Sequence, residues 1–178
     1  MILGIFGPTN SGKDAAAEWF VENCGLKYSG STSIVISRDI ARLEGITFEQ
    51  AHAQRHLRKD EWRRHGDVMR KDDPARLARD ILYPDSNLLV GVRARIELHQ
   101  VIYERLTDIN IWIDRPSTYF DTTMGFGPDS CDIVIPNWWG LAEYHTRLWA
   151  VARFLGLKER FDGPTLLEAT DVPQPRSS

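Results

Sequence analysis

The first fourteen residues constrain this chain more than any other stretch. Ile2-Leu3-Gly4-Ile5-Phe6 is a short apolar run that reads as a buried strand. Gly7-Pro8-Thr9-Asn10-Ser11-Gly12-Lys13-Asp14 follows it, and residues 15–22, which open on three alanines, are good helix formers. Strand, glycine-bounded loop and helix, in that order, are the context in which G-x-x-x-x-G-K carries chemical meaning. Gly7 and Gly12 let the backbone turn so that its N–H groups converge, the helix start adds partial positive charge, and Lys13 adds a full one. Such a loop fits a polyphosphate, with Thr9, Asn10, Ser11, Gly12, Lys13, Asp14 and Ala15 around it. A glycine-rich turn with a solvated lysine accounts for the glycines but not for Lys13 falling on the helix start. Where the motif carries Ser or Thr to touch Mg²⁺, this chain has Asp14. A carboxylate there either holds Mg²⁺, directly or through water, or complements the helix dipole.

With 178 residues and 42% apolar content, the chain suffices for one domain with a core, expected over residues 1–162. The stretch 163–178 turns to proline and serine and reads as a disordered tail. The formal charge is −3, yet eleven of the 22 Lys and Arg lie between Arg38 and Arg79, with eight acids among them. This is too mixed for a nucleic-acid surface, which presents a one-signed stripe, so no nucleic-acid partner is expected. The mixture suits either one small phosphorylated ligand or solvated, salt-bridged helix faces. Cys24 and Cys131 have no paired spacing, which indicates neither a disulfide framework nor a zinc cluster and fits a reducing cytoplasm. No run reads as a membrane span or a leader, so no membrane partner is expected either. Whether two copies form a homodimer stays open.

Five apolar runs, at residues 2–6, 33–37, 88–92, 109–113 and 132–136, alternate with helical segments. This predicts an α/β fold, a five-stranded, doubly wound parallel sheet flanked by helices. Ligands of such sheets bind beyond the C-terminal strand ends, so the residues leaving each run are site candidates. They are Arg38 and Asp39, with Arg42 nearby; Arg93, with Glu97 four residues on; Arg115; and Asn137 with Trp138 and Trp139. Asp39 has an alternative role as a helix cap, and Arg93–Glu97 as a surface pair of a few tenths of a kcal/mol. The tryptophans either stack on a nucleobase or pack the closing helix marked by Leu141, Tyr144, Leu148, Val151 and Leu155, packing being the more ordinary role.

Residues 47–69 read as a helix, with Thr47 and Gln50 in capping-box spacing. Arg63, Arg64, Asp67 and Arg70 make its dense cluster, and arginine forks bind phosphate bidentately. Asp73-Pro74 marks the start of a short helix that stops before Pro84. Residues 117–129 contain Gly125, Gly127 and Pro128, lack a clean period and read as a mobile loop or lid.

Three groups of residues taken together resemble a known family. They are the loop ending Gly12-Lys13-Asp14, the Gly91-Val92-Arg93 exit with Glu97 behind it, and Cys131-Asp132-Ile133-Val134-Ile135-Pro136-Asn137. In that order, over residues 1–156, the chain resembles the P-loop deoxynucleoside monophosphate kinases of bacteriophages, within the nucleoside monophosphate kinase superfamily. The G-K-D ending is shared with animal-type phosphomevalonate kinases and with few other P-loop groups. The resemblance implies a P-loop NTPase fold with a helical acceptor-binding insertion at 38–80 and a short lid at 115–130. It implies transfer of the γ-phosphoryl of ATP, with Mg²⁺, to a deoxynucleoside 5′-monophosphate, in the host cytoplasm if the chain is phage-encoded.

Carried over by position, residues 9–15 hold the ATP phosphates and Asn137 neighbours the adenine. Lys13, Arg93 and Arg115 are the expected catalytic cations. Arg38, Asp39, Arg42, Arg63, Arg64, Asp67, Arg70, Arg93 and Glu97 are expected on the deoxynucleotide. Asp14 is the expected Mg²⁺ carboxylate, with Asp39 and Glu97 as rivals. The chain departs from the pattern in a short lid with one evident arginine, and in Gly91, where many superfamily members keep an acid. The rival readings are a kinase of another small phosphorylated metabolite, such as phosphomevalonate, and a nucleotide-binding module without turnover. The lack of an N-K-x-D motif counts against a GTP switch.

Overall fold

The computed structural model describes residues 1–83, 85–116 and 124–157. Among them four strands, β1 (Leu3–Phe6), β2 (Leu88–Val90), β3 (Ile109–Asp114) and β4 (Ile133–Pro136), form one sheet in the order β2-β1-β3-β4. Every pairing is parallel, with Ile5 opposite both Val90 and Ile111. Helices cover both faces, which is why the strands are apolar throughout rather than alternating with polar residues. Leu3, Ile5, Leu88, Val90, Ile111 and Ile113 meet α1 (Lys13–Cys24) and α7 (Leu141–Phe154) through Ala16, Phe20 and Leu148. Phe6, Leu89 and Trp112 point the other way, into a core shared with α2 (Thr32–Glu44), α5 (Arg76–Leu82) and α6 (Arg95–Tyr103). The short α3 (Phe48–Gln54) and the longer α4 (Lys59–Lys71) pack on α2.

Several local signals are realised. Gly25 closes α1 in the left-handed conformation at φ +71°. Thr47 and Gln50 form the reciprocal capping box of α3, with Gln50 N donating to Thr47 Oγ1 at 3.2 Å and Thr47 N to Gln50 Oε1 at 3.0 Å. The helix expected over 47–69 is interrupted between Gln54 and Lys59 and so becomes two.

The expected strand at 33–37 is a correction, because those residues form the first turns of α2 and the sheet has four strands rather than five. The edge beside β2 is already occupied by the segment just before. Asn87 N donates to Lys27 O at 2.8 Å, and Ser31 bridges Val90 in parallel sense. Val35, Ile36, Ile40 and Ala41 then share the buried side of a helix, so burial overrides the strand preference of the β-branched run. Arg38 and Asp39 accordingly lie within a helix and not at a strand end.

Because β1 sits between β2 and β3, the chain winds away from it in both directions, and the loop after β1 falls at the switch point. Pro84, residues 117–123 of the expected lid and the expected tail lie outside the described residues. Residues 124–130 of the expected lid are fastened down. Gly125 N donates to Arg93 O at 2.8 Å, and the buried Phe126 ring meets Phe6 edge-on at 5.6 Å between centroids. No helix among the described residues is long and apolar enough to cross a membrane.

Candidate functional site

The chain leaves β1 through Gly7, where φ is +149° and a Cβ would lie 2.6 Å from the Ile113 carbonyl oxygen. Asn10 (φ +62°) and Gly12 (φ +96°) supply the left-handed turns that bring the backbone round to α1. Three successive loop carbonyls are then tied to the rest of the protein. Arg115 Nη1 donates to Asn10 O (3.4 Å), Asn137 Nδ2 to Ser11 O (2.8 Å) and Tyr144 OH to Gly12 O (3.0 Å). Across a trans peptide the N–H points opposite to the C=O, so the N–H groups of Gly12 and Lys13 are turned away from Asn137 and Tyr144. Ser11 N closes the turn onto Pro8 O at 3.2 Å. The buried Ser11 Oγ has no hydrogen-bond partner among the described residues.

Lys13 is mostly buried and folds across the loop, its Nζ 3.2 Å from Pro8 O and 3.8 Å from Asp14 Oδ2. Arg93, leaving β2, donates to Thr9 Oγ1 at 3.1 Å. Three strand exits thus bring Lys13, Arg93 and Arg115 onto one loop. Ala15 is exposed on the first turn of α1.

Asp14 stands at the same helix start with its side chain 57% exposed, and accepts from Tyr28 OH at 3.2 Å. Burial, and then the Asp14 carboxylate, push the Tyr28 phenol well above its usual range. Mg²⁺ is commonly held by one or two carboxylates, with substrate phosphates and waters completing its shell. Of the three expected carboxylates, Asp14 is the one whose side chain is exposed. Asp39 faces His65 and Arg42, while Glu97 is wholly buried against Arg70. Among the described residues no three His, Cys, Asp or Glu side chains converge, so any remaining oxygens would come from ligand and solvent.

The arginine-rich cluster divides into three. Arg70, at the end of α4, donates through Nε to Glu97 Oε2 at 2.8 Å and through Nη1 to Asp67 Oδ1 at 3.1 Å, next to the strand exit that carries Arg93. Arg63 and Arg64 lie on the solvent side of α4 and engage Asp60, through its carboxylate at 2.9 Å and its carbonyl at 3.3 Å. Arg38, Asp39 and Arg42 lie together in a cleft between α2 and α5 that contains no loop residue. Hydrogen bonding from His65, ahead of Arg42, holds the Asp39 carboxyl below its usual range.

Trp138 and Trp139 are 51% and 61% exposed, with ring centroids 5.2 Å apart. They are not packed into the core against the closing helix. Arg147 of α7 instead lies over the Trp139 ring at 4.2 Å.

Two residues escape a reading of the sequence. Tyr144 is placed correctly on the apolar stripe of α7, but nothing local signals that its hydroxyl reaches Gly12. Thr32 donates through Oγ1 to Gly91 O at 2.9 Å. Gly91 has φ +100°, and a Cβ on it would lie 2.7 Å from that Oγ1, so the position has no room for an acidic side chain. No protein-family model matches this chain, and a search of curated proteins returns no match.

Proposed function

We propose that the chain is an ATP-dependent kinase of deoxynucleoside 5′-monophosphates, of the bacteriophage P-loop type its motifs resemble, and that its sheet is a P-loop NTPase fold. The observation that carries this reading is the loop at residues 7–14, with three successive carbonyls tied to side chains outside it and Lys13 laid across it. In the reaction an anionic oxygen of the acceptor phosphate forms a bond to the γ-phosphorus of ATP while the bond to the β,γ-bridging oxygen breaks, and ADP leaves with that electron pair. The acceptor oxygen is already ionised at neutral pH, so no strong general base is needed; the demand is for cations that bring two polyanions together.

Lys13 and the N–H groups of Gly12 and Lys13 would bind the β- and γ-phosphates, exchanging the Pro8 carbonyl for phosphate oxygens. Arg115 would add charge beside the transferred group. Arg93, already at Thr9, would meet the acceptor phosphate with Arg70 behind it. Asp14 would hold Mg²⁺, whose part is to neutralise charge on the ATP oxygens. The exposed Trp138 and Trp139, next to Asn137, would lie beside the adenine.

The test is a coupled ADP-release assay with Mg-ATP against dAMP, dGMP, dCMP, dTMP, the matching ribonucleotides and phosphomevalonate. ADP release that requires a deoxynucleotide is expected. Release with phosphomevalonate alone would move the chain to the metabolite kinases. ATP binding without release for any acceptor would make it a binding module.

A further inference from the structure

Tyr28 belongs to the segment that runs beside β2, and its neighbours on both sides are pinned. Lys27 O accepts from Asn87 N at 2.8 Å and from Ser86 Oγ at 3.0 Å, Ser29 N donates to Ser86 Oγ at 3.4 Å, and Ser31 bridges Val90. The half-buried Tyr28 ring packs against the core shared by α1 and the sheet. Its hydroxyl leaves that core at the first turn of α1 and donates to Asp14 Oδ1 at 3.2 Å.

The two oxygens of this carboxylate are divided. Oδ1 accepts from the phenol, while Oδ2 lies 3.8 Å from Lys13 Nζ, the ammonium that reaches back to Pro8 O at 3.2 Å. An ionised carboxylate only accepts, so the phenol is the donor. At 3.8 Å the approach to Lys13 is too long for a hydrogen bond, and the Asp14 side chain is 57% exposed. The bond from a phenol rooted in packed structure is therefore what gives Asp14 one orientation.

The consequence rests on the proposed kinase reading, in which Asp14 is the Mg²⁺ carboxylate. A single exposed carboxylate beside the loop suits Mg²⁺, which takes most of its shell from substrate phosphates and water. We infer that Tyr28 is a positioning residue for this cation, holding Asp14 by Oδ1 so that Oδ2, on the Lys13 side, is the oxygen presented to the metal. Hydrogen-bond partners behind a metal-bound carboxylate are worth roughly 10–100-fold in metal affinity.

Mn²⁺, which takes the same kind of oxygen ligands and reports its own binding by electron paramagnetic resonance, tests this in the full chain saturated with the β,γ-methylene analogue of ATP. The wild type is expected to bind Mn²⁺ more tightly than the nucleotide does alone. Tyr28→Phe keeps the ring and is expected to weaken that binding about 10-fold, with affinity for the nucleotide in EDTA unchanged. Asp14→Ala is expected to weaken it at least as much, and Tyr28→Phe to add nothing in the Asp14→Ala background. Mn²⁺ affinity within about twofold of wild type in Tyr28→Phe, beside a clear loss in Asp14→Ala, overturns the positioning role and leaves the kinase reading standing. An undiminished effect of Tyr28→Phe in the Asp14→Ala background overturns it as well, because the phenol then acts through some other group. Equal losses of Mn²⁺ and of metal-free nucleotide binding do the same, since they make Tyr28 a support of the loop. Unchanged Mn²⁺ binding in Asp14→Ala removes the carboxylate from the metal and the inference with it, and a wild type that does not bind the nucleotide sinks the kinase reading and the inference together.

Discussion

Arg70 Nε lies 2.8 Å from Glu97 Oε2, and Glu97 is wholly buried. The pair fastens the last turn of α4 to the first turn of α6, four residues beyond Arg93. Burial pushes the Glu97 carboxyl above its usual range against the pull of Arg70 and of the Arg93 and Ala94 backbone, and Oε1 has no partner within hydrogen-bonding geometry among the described residues. Glu97→Ala would leave Arg70 with only the exposed Asp67, and is expected to cost about 3 kcal/mol in urea unfolding, the low end for a broken buried pair.

Glu97→Gln separates charge from shape. A carboxyl raised in the folded state contributes fully below its unfolded value, near 4.5, and loses that contribution as pH rises through the folded value. The glutamine has no such loss. The stability of wild type minus that of Glu97→Gln should therefore shrink as pH rises above 4.5 and then level off. A difference independent of pH would mean that burial does not control this group.

Lys13→Ala removes the ammonium that reaches back over the loop to Pro8 O. If the loop holds the transferring phosphates, kcat in the ADP-release assay should fall about 10²–10³-fold, the usual effect of deleting one stabilising group at a transferring centre. Turnover within a few-fold of wild type would remove the phosphate site from the reading.

Tyr144→Phe keeps the buried ring on α7 and deletes only the hydrogen bond to Gly12 O. The expected loss is about 1 kcal/mol of stability. A comparable loss in ATP binding, roughly fivefold in KM, follows if the freed carbonyl lets the loop relax. A variant that loses stability but keeps its KM would show that the anchor serves the fold alone.

What the sequence makes legible is what neighbouring residues determine. β1, the loop and α1 could be read because glycine positions, apolar run and helix formers all agree within two dozen residues. Ser33–Ser37 misleads because Ile34-Val35-Ile36 is apolar in either periodicity, while the segment that runs beside β2, Lys27-Tyr28-Ser29-Gly30-Ser31, is held by backbone bonds and by the Ser86 and Asn87 side chains and carries no apolar signature. The arginine cluster looks like one site along the chain, and helix packing sends Arg70 toward Glu97, Arg42 into the α2–α5 cleft and Arg63 to solvent. Links such as Tyr144 to Gly12, 132 residues apart, are products of the finished fold.

Gly91→Ala tests how tightly the strand exit before Arg93 is built. The substitution meets the positive φ of +100° and the Thr32 Oγ1 that would lie 2.7 Å from the new methyl, with the Thr32 backbone N at 3.0 Å and the Ser31 Cβ at 3.2 Å behind it. The first is a backbone cost of about 1–2 kcal/mol that no neighbour can relieve; the second disappears in a Thr32→Ala background, together with the hydrogen bond to Gly91 O. Gly91→Ala should therefore cost about 2–3 kcal/mol in the wild type and measurably less in Thr32→Ala, without reaching zero. Because Arg93 follows two residues later, KM for the acceptor should rise while KM for ATP changes less. Equal costs in both backgrounds would assign the penalty to φ and to the crowding by the Thr32 backbone N and Ser31 Cβ, and not to the Thr32 hydroxyl.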